Sequence, residues 1–267
     1  MKKKSGIVYK YRNLIDKNHR AMLLKNEVYL SAPNDFNDPF DCKININHHL
    51  LDTDEKKEFY IKKGTKENIN LLIKNNKNIE EEENKLRKNL RNIDEYQKEY
   101  ERRNSKYINN SIGVLSLSRR WNSILMWSHY GDYHKGYCIG FDEKVLIDSR
   151  CFEYGGDVNY TPDFPEIHPL KNYDVMQKVF WQTHYKAKEW EYEEEFRLTN
   201  LYFDKTNEEL NRVVNVPENS IAEVIFGLNS EKDNKTEIIK ECKSRNIPVY
   251  QLFKDNYKFE IKRKLIN

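Results

Sequence analysis

The spacing of apolar and polar residues near the start of the chain predicts a strand, a helix and a second strand. Val8–Arg12 has the pattern of a short strand, Lys17–Asn26 that of a helix and Val28–Ser31 that of another strand. Residues 32–41 combine two prolines with several Asn and Asp residues, which favour turns. We therefore expect a strand, a helix, a strand and then a loop.

The segment 52–110 differs from its surroundings in composition. It contains one glycine and no proline, and its charges of both signs are dense. Apolar residues recur at helical spacing, which predicts two or three amphipathic helices inserted in a single domain of residues 1–267. These helices are either a lid or partner surface, or a solvated face stabilised by ion pairs between neighbouring turns.

The remainder of the chain predicts several strands and one βαβ unit. Strands are expected at 112–118, 137–141 and 190–199, with a short helix or tight turn at 121–130. A strand at 221–226, a helix at 231–245 and a strand at 248–253 form the βαβ unit, whose two strands should be parallel. The predicted fold class is α+β, with a mixed, mostly antiparallel sheet.

Composition and charge exclude several classes of protein. The 267 residues carry a formal charge of +3, a mean hydropathy of −0.94 and many aromatic residues, which argues for a folded chain without a strongly basic surface. No run of about 18 apolar residues exists, and no apolar block follows the basic start. We expect no association with a membrane and a cytoplasmic location.

The densest group of chemically versatile residues lies between Met126 and Tyr137. It contains two histidines, three tyrosines, a tryptophan and two glycines besides other residues. Trp127 and Tyr130 offer flat surfaces for a ring, and His129 or His134 could donate a hydrogen bond to a phosphate or ribose. The alternative is that the aromatic residues belong to the core and that His134 caps a turn.

A second group is acidic and lies on the strand predicted at 190–199. Period-two alternation places Glu193, Glu195 and Arg197 on one face, with successive carboxylates roughly 6.5 to 7 Å apart. Two such carboxylates can divide a task, one orienting a sugar hydroxyl and the other stabilising a cationic transition state. The alternative is an exposed sheet edge on which Arg197 neutralises a neighbour.

Two further candidates lie near the start of the chain. Asp35, Asp38 and Asp41 could surround a hard cation, or they could simply form turns by bonding to their own backbone. Arg12 could clamp a phosphate with its two-pronged guanidinium, or it could be an ordinary surface cation.

The motifs in this chain resemble those of a widespread bacterial domain of unknown function. They are Tyr9-Lys10-Tyr11-Arg12, Val28–Pro33 running into Phe36–Asp41, Met126–Tyr130 with His134-Lys135-Gly136, and Trp190-x-Tyr192-Glu193-x-Glu195-x-Arg197. Their order is similar to that of ADP-ribosyltransferases, in which an early strand contacts NAD, an aromatic motif lines the nicotinamide pocket and a late strand supplies a catalytic glutamate.

The resemblance implies an NAD-dependent ADP-ribosyltransferase or NAD glycohydrolase. The catalytic residues would be Glu195, Glu193 and His129, with an ionised Glu195 stabilising an oxocarbenium-like ribose. The NAD-binding residues would be Arg12, Tyr11, Ser31, Trp127, Tyr130 and His134. The acceptor would be a protein or a nucleic acid, and the implied role is that of a toxin or antiviral defence effector with an antitoxin or defence-system partner.

Two other functions compete with this interpretation. A metal-dependent nuclease or phosphohydrolase would bind Mg²⁺ or Mn²⁺ through Asp38, Asp41, His129 and Glu195. A non-enzymatic module would use the aromatic group to bind a nucleotide or a partner.

The transferase interpretation requires that Arg12, the segment around Tyr130 and the acidic strand border one cleft. It also treats Glu195 as an exposed strand residue that tolerates an amide.

Overall fold

An eight-stranded sheet forms the centre of the molecule. The computed structural model describes residues 6–202 and 211–266. Its strands are β1 (Ile7–Arg12), β2 (Glu27–Tyr29), β3 (Ile112–Ser118), β4 (Tyr137–Asp142), β5 (Tyr154–Asp157), β6 (Asn159–Thr161), β7 (Tyr185–Ala187), β8 (Glu195–Leu201), β9 (Val213–Asn215), β10 (Ile221–Phe226), β11 (Val249–Lys254) and β12 (Ile261–Leu265).

The helices lie between these strands. They are α1 (Lys17–Leu24), α2 (Asp54–Glu67), α3 (Ile69–Lys74), α4 (Ile79–Asn89), α5 (Ile93–Ser111), α6 (Ile124–His129), α7 (Glu143–Asp148), α8 (Val175–His184) and α9 (Lys232–Ser244). Single 3₁₀ segments occupy 33–35, 48–50, 188–193 and 218–220. Within residues 6–202 and 211–266, no helix has the length and apolarity that crossing a bilayer requires.

The strand order confirms a mixed, mostly antiparallel sheet. The order is β12-β11-β10-β4-β1-β3-β8-β5, and only β10 and β11 are parallel neighbours within it. Strands β10 and β11 with α9 form the predicted βαβ unit. Two small sheets join β2 to β9 and β6 to β7.

Both faces of the central strands are buried, as alternate residues of β4 show. Tyr137, Ile139 and Phe141 belong to the larger apolar cluster, whereas Cys138 belongs to a second cluster that contains Trp127. Successive side chains of a strand point to opposite faces, so the two clusters lie on opposite sides of the sheet.

The sheet opens between β1 and β3. These strands pair in register only at Tyr9 and Ser118, whereas β1 pairs with β4 along its whole length. Further along β3, Val114 exchanges backbone hydrogen bonds with Ser31 instead, at 2.9 Å in both directions. The strands therefore diverge, and the space between them is available to side chains and ligands.

The charged segment contains more helices than its periodicity predicts. Four helices, α2 to α5, lie within or across the bounds of 52–110, where two or three are expected. Leu51, Ile61 and Leu90 form a small apolar cluster among them. Helix α3 buries none of its residues, so its six residues add little apolar periodicity by which it could be recognised.

The strand predicted at 190–199 is wrong in its first half. Residues 188–193 form a 3₁₀ segment, and the strand begins at Glu195. Glu194 ends the 3₁₀ segment in the left-handed region, with φ of 43°. Because this turn separates Glu193 from the strand, the two-residue alternation of side chains does not extend from Glu195 back to Glu193. Glu193 and Glu195 are therefore not successive residues on one strand face.

A substitution at Gly136 can test how closely the backbone of β1 approaches the start of β4. A Cβ at this position would lie 2.1 Å from the carbonyl oxygen of Arg12 and 2.9 Å from that of Gly131. We expect Gly136→Ala to lower the free energy of unfolding by about 1–3 kcal/mol in urea titrations, because backbone must move to admit the methyl group. The matched control is Gly64→Ala in α2, where nothing lies within 4 Å and a gain of about 0.5–1 kcal/mol is expected. Equal effects at both sites would contradict the close approach.

Candidate functional site

A cavity of about 580 Å³ occupies the opening between β1 and β3. Its walls come from β1, β3, α6, the loop at 35–37 and the segment that carries Lys186 to Glu195. Most of the residues that the sequence singled out for function line it: Tyr11, Arg12, Ser31, His129, Tyr130, Glu193 and Glu195. The early arginine, the α6 segment and the acidic residues thus border one cleft.

Trp127 and His134 lie outside this cleft, which corrects the expectation that they contact its ligand. Trp127 is completely buried, and its Nε1 donates to the carbonyl of Trp121 at 2.7 Å. Tyr11 packs edge-on against it, with ring centroids 5.1 Å apart. His134 lies near-parallel to the Trp127 ring and lines a different cavity. Trp127 therefore supports the cleft from beneath.

A completely buried arginine anchors the acidic residues. Both Nη atoms of Arg197 donate to the Asp41 carboxylate, at 2.8 and 2.6 Å. Its Nε donates to Glu195 at 2.6 Å, and Nη1 also reaches the carbonyl of Thr183 at 2.8 Å. Asp41 and Glu195 are buried with it. Glu195 is therefore not the exposed residue that its sequence position suggested.

Lys186 joins the two glutamates at the edge of the cleft. Its Nζ lies 2.6 Å from Glu193 Oε2 and 2.5 Å from Glu195 Oε1. The hydroxyl of Tyr130 donates to the other oxygen of Glu193 at 2.7 Å. Three carboxylates and two cations thus share one buried cluster, which leaves one negative charge without compensation when all are ionised.

Glu193 is the acid of this cluster whose ionisation is most strongly opposed. Burial opposes the ionisation of Glu195, but the charges of Arg197 and Lys186 hold its pKa well below the usual value. Burial, together with the hydrogen bond and charge of Glu195, raises the pKa of Glu193 to about 7. The pKa values of the two neighbouring glutamates are therefore shifted in opposite directions, the arrangement by which active sites separate an acid from a base.

Two cations face the same cleft without a direct ion pair to a described residue. Arg12 makes no ion pair within the described chain, and its buried Nε has no hydrogen-bond partner there. Lys10, two residues earlier on β1, donates only to the carbonyl oxygen of Ser116, at 2.6 Å. Burial lowers the pKa of Arg12 to about 10, although the charge of Asp16 opposes this shift. Burial and the charge of Arg12 lower the pKa of Lys10 well below the usual value, although the charges of Glu195 and Glu193 oppose it. An anion in the cleft would stabilise both charges.

His129 lies at the exposed rim of the cleft. Its Nδ1 is 3.1 Å from the hydroxyl of Tyr192, and its ring packs edge-on against Tyr192 and Tyr130. His129 is therefore close to the acidic residues but makes no hydrogen bond to either glutamate.

The aspartates of the loop at 35–41 form turns and a buried ion pair. Asp35 Oδ2 accepts from the backbone of Ala32, and Asp38 Oδ1 accepts from that of Phe40. Both Asp41 oxygens bind Arg197, and both Glu195 oxygens bind Lys186 or Arg197. The described residues contain no group of three or more His, Cys, Asp or Glu residues that could hold a metal ion. The donor set proposed for Mg²⁺ or Mn²⁺ therefore does not fit.

Sequence reasoning missed Lys186 and Lys10 as site residues. Lys10 had a detectable signal, because it is two residues from Arg12 on one strand and therefore shares its face. Lys186 had none: it lies on the three-residue strand β7, directly after α8, and only the packing of α8 brings it to the glutamates.

The Asp41–Arg197 pair can be tested by a single substitution. We expect Asp41→Asn to lower the free energy of unfolding by about 3–5 kcal/mol, because it leaves the buried guanidinium without part of its compensating charge. Denaturant unfolding followed by circular dichroism measures the effect. Asp54→Asn is the control, since the carboxylate of Asp54 is 99% exposed and lies 3.8 Å from Lys57, and a change within about 0.5 kcal/mol is expected. A similar small change in both variants would contradict the role of the pair.

The comparison with known protein families gives a match to a region in the middle of the chain. No curated protein and no solved structure matches it. Residues 126–198 match the family model described as "Protein of unknown function (DUF2971)". The matched region begins in α6 and ends in β8, so it contains Tyr130, Lys186, both glutamates and Arg197. The matched region therefore includes every member of the buried charge cluster except Asp41.

Proposed function

We propose that the cleft binds NAD and cleaves its nicotinamide–ribose bond, passing ADP-ribose to water or to a macromolecular acceptor. The observation that carries the proposal is the presence, in one cavity, of two cations that form no direct ion pair in the described chain and a glutamate whose pKa is raised to about 7. The relationship to the ADP-ribosyltransferase fold that the motif order implies is part of the same proposal.

The cations support an anionic ligand. Arg12 is partly buried and its Nε has no hydrogen-bond partner among the described residues, so a diphosphate would supply paired hydrogen bonds and negative charge. Lys10 would add a second contact from the same strand. The cavity volume of about 580 Å³ lies within the range of roughly 300–1,000 Å³ that is typical of ligand pockets.

The aromatic lining supports a ring-bearing ligand. Tyr9, Tyr11, Phe36, Tyr130 and Trp190 border the cavity, and Lys186 lies 4.8 Å from the centroid of the Trp190 ring. Such surfaces accept a heterocycle by stacking or edge contacts. Tyr130 replaces Trp127 as the candidate nicotinamide contact, because Trp127 is completely buried and engaged elsewhere.

The charge cluster assigns different roles to the two glutamates. The oxygens of Glu195 accept three hydrogen bonds from Lys186 and Arg197, which leaves little capacity for substrate. Each oxygen of Glu193 accepts one, from Tyr130 and from Lys186, and the further bond between Glu193 and Glu195 exists only while Glu193 is protonated, so ionised Glu193 has the greater capacity to accept from a substrate. We assign Glu193 as the catalytic carboxylate and Glu195 as the residue that positions Lys186.

The reaction follows from charge development. When the glycosidic bond breaks, its electron pair neutralises the nicotinamide ring and C1′ of the ribose becomes cationic. The Glu193 carboxylate would stabilise that cation and would accept the proton of the nucleophile that then attacks C1′. Lys186 and Arg197 would keep Glu195 ionised throughout.

Nicotinamide release tests the catalytic assignment. We expect the purified protein to release nicotinamide from NAD, and Glu193→Gln to lower the rate by about 10²–10⁴-fold because the amide cannot accept the proton. The control is Glu194→Gln, whose side chain is 51% exposed and lies 3.7 Å from Arg120, and which should retain full rate. Adenine-labelled NAD with cell lysate separates hydrolysis from transfer. Unchanged NAD in both reactions, or equal rates for both variants, would contradict the proposal.

The rate should rise with pH around neutrality. Because the pKa of Glu193 is raised to about 7, its active carboxylate form is scarce at about pH 5.5 and dominant at about pH 8.5. We expect kcat to increase about tenfold per pH unit on the acidic side and to level off above the pKa. Circular dichroism at each pH controls for unfolding. A flat profile, or one that falls over this interval, would contradict the role of ionised Glu193.

A further inference from the structure

A second cavity, of about 650 Å³, lies beside the hairpin of β11 and β12. Its lining includes Ile124 at the start of α6, His134 and the hairpin residues 254–261. Helix α6 separates it from the proposed NAD cleft, since Met126 and His129 of that helix line the cleft. The function proposed above makes no use of this cavity.

Two aromatic rings at the hairpin turn are almost entirely exposed. Tyr257 is 95% exposed and Phe259 is 100% exposed, although both border the cavity. Loss of water contact is favourable for such rings, and a protein seldom leaves two of them together in solvent without a partner. Their position at a turn makes both faces of each ring accessible to a flat ligand.

The hairpin is strongly basic. Residues 254–264 contain five cations and two carboxylates. Asp255 pairs with Lys262 at 2.5 Å, and Arg263 pairs with Glu223 of β10. Lys254, Lys258 and Lys264 form no ion pair within the described part of the chain, so their charges are available to a polyanion.

Several polar side chains border the cavity among its mainly apolar lining. The Nδ1 of His134 is buried and has no hydrogen-bond partner among the described residues, while Nε2 lies 3.3 Å from Ser128 Oγ. Burial and the nearby charge of Lys254 lower the pKa of His134, so its ring is neutral at pH 7 and can donate one hydrogen bond and accept another. Asn229 and Asn256 also border the cavity.

We propose that this hairpin and its cavity bind a segment of single-stranded nucleic acid. Bases would stack on Tyr257 and Phe259, phosphates would contact the unpaired lysines, and base edges would meet the histidine and the asparagines. Exposed aromatic rings interleaved with basic residues are the combination that single-stranded nucleic acid requires. A flat membrane surface would leave His134, Asn229 and Asn256 of the cavity without a partner.

Binding can be measured without NAD, so the result does not depend on the function proposed for the cleft. The probe is a fluorescently labelled 20-nucleotide oligothymidylate, and the measurement is its anisotropy on titration with the full-length protein. We expect binding that weakens with salt, with a slope of roughly −2 in log K against log salt if three phosphates are contacted.

Two sets of variants separate stacking from charge. Tyr257→Ala with Phe259→Ala should weaken binding at least about tenfold, because each stacked base contributes to affinity. Lys254→Gln with Lys258→Gln should make the salt slope shallower by about one to two. The control is Phe59→Ala in α2, an aromatic residue of which 58% is exposed, and it should bind like the unaltered protein.

Several outcomes would overturn the proposal. They are no binding of the oligonucleotide at low salt, equal binding by the aromatic variant and the control, or binding to anionic phospholipid vesicles without binding to the oligonucleotide. Because Tyr257 and Phe259 are exposed, their truncation should leave the thermal unfolding midpoint unchanged, and that measurement shows whether a loss of binding has another cause.

Discussion

The burial of Arg197 is the constraint on which the rest of the cleft depends. A guanidinium removed from water is strongly unfavourable unless carboxylates and carbonyls satisfy it. Asp41, Glu195 and the Thr183 carbonyl supply these partners from three separate parts of the chain. One side chain thus joins the early loop, the end of α8 and the start of β8.

The same constraint determines the protonation of the glutamates. Once Asp41 and Glu195 compensate Arg197, the charge of Lys186 is shared between Glu195 and Glu193. Of the three carboxylates, Glu193 then has the least positive charge beside it, and its pKa is raised. A cluster that stabilises the fold therefore also leaves a titratable group at the edge of a cavity, and this combination is frequent in functional sites.

The opening of the sheet determines where that group can act. Because β3 leaves β1 after a single registered pair and bonds to Ser31 instead, the cavity lies within the sheet rather than on its face. Cations from β1 and carboxylates from the other side therefore border the same cavity. Helix α6 closes this cleft and also borders the second cavity, so a ligand in either one would contact the same six-residue helix.

The sequence by itself determined the local elements and most of the residues that line the cleft. Period-two and helical patterns located β1, β3, β4 and the βαβ unit, because one-sided or complete burial leaves a periodic signal. Tyr130 was predicted from the dense group of versatile residues around it and Glu193 from the alternation of carboxylates, and the motif order that resembles ADP-ribosyltransferases added Arg12 to both. Only the tertiary structure decided that Trp127 lies beneath the cleft, that Glu195 is buried against Arg197 and that Lys186 contacts both glutamates. Those facts depend on long-range packing and on the left-handed turn at Glu194, and neither leaves a periodic trace in the chain.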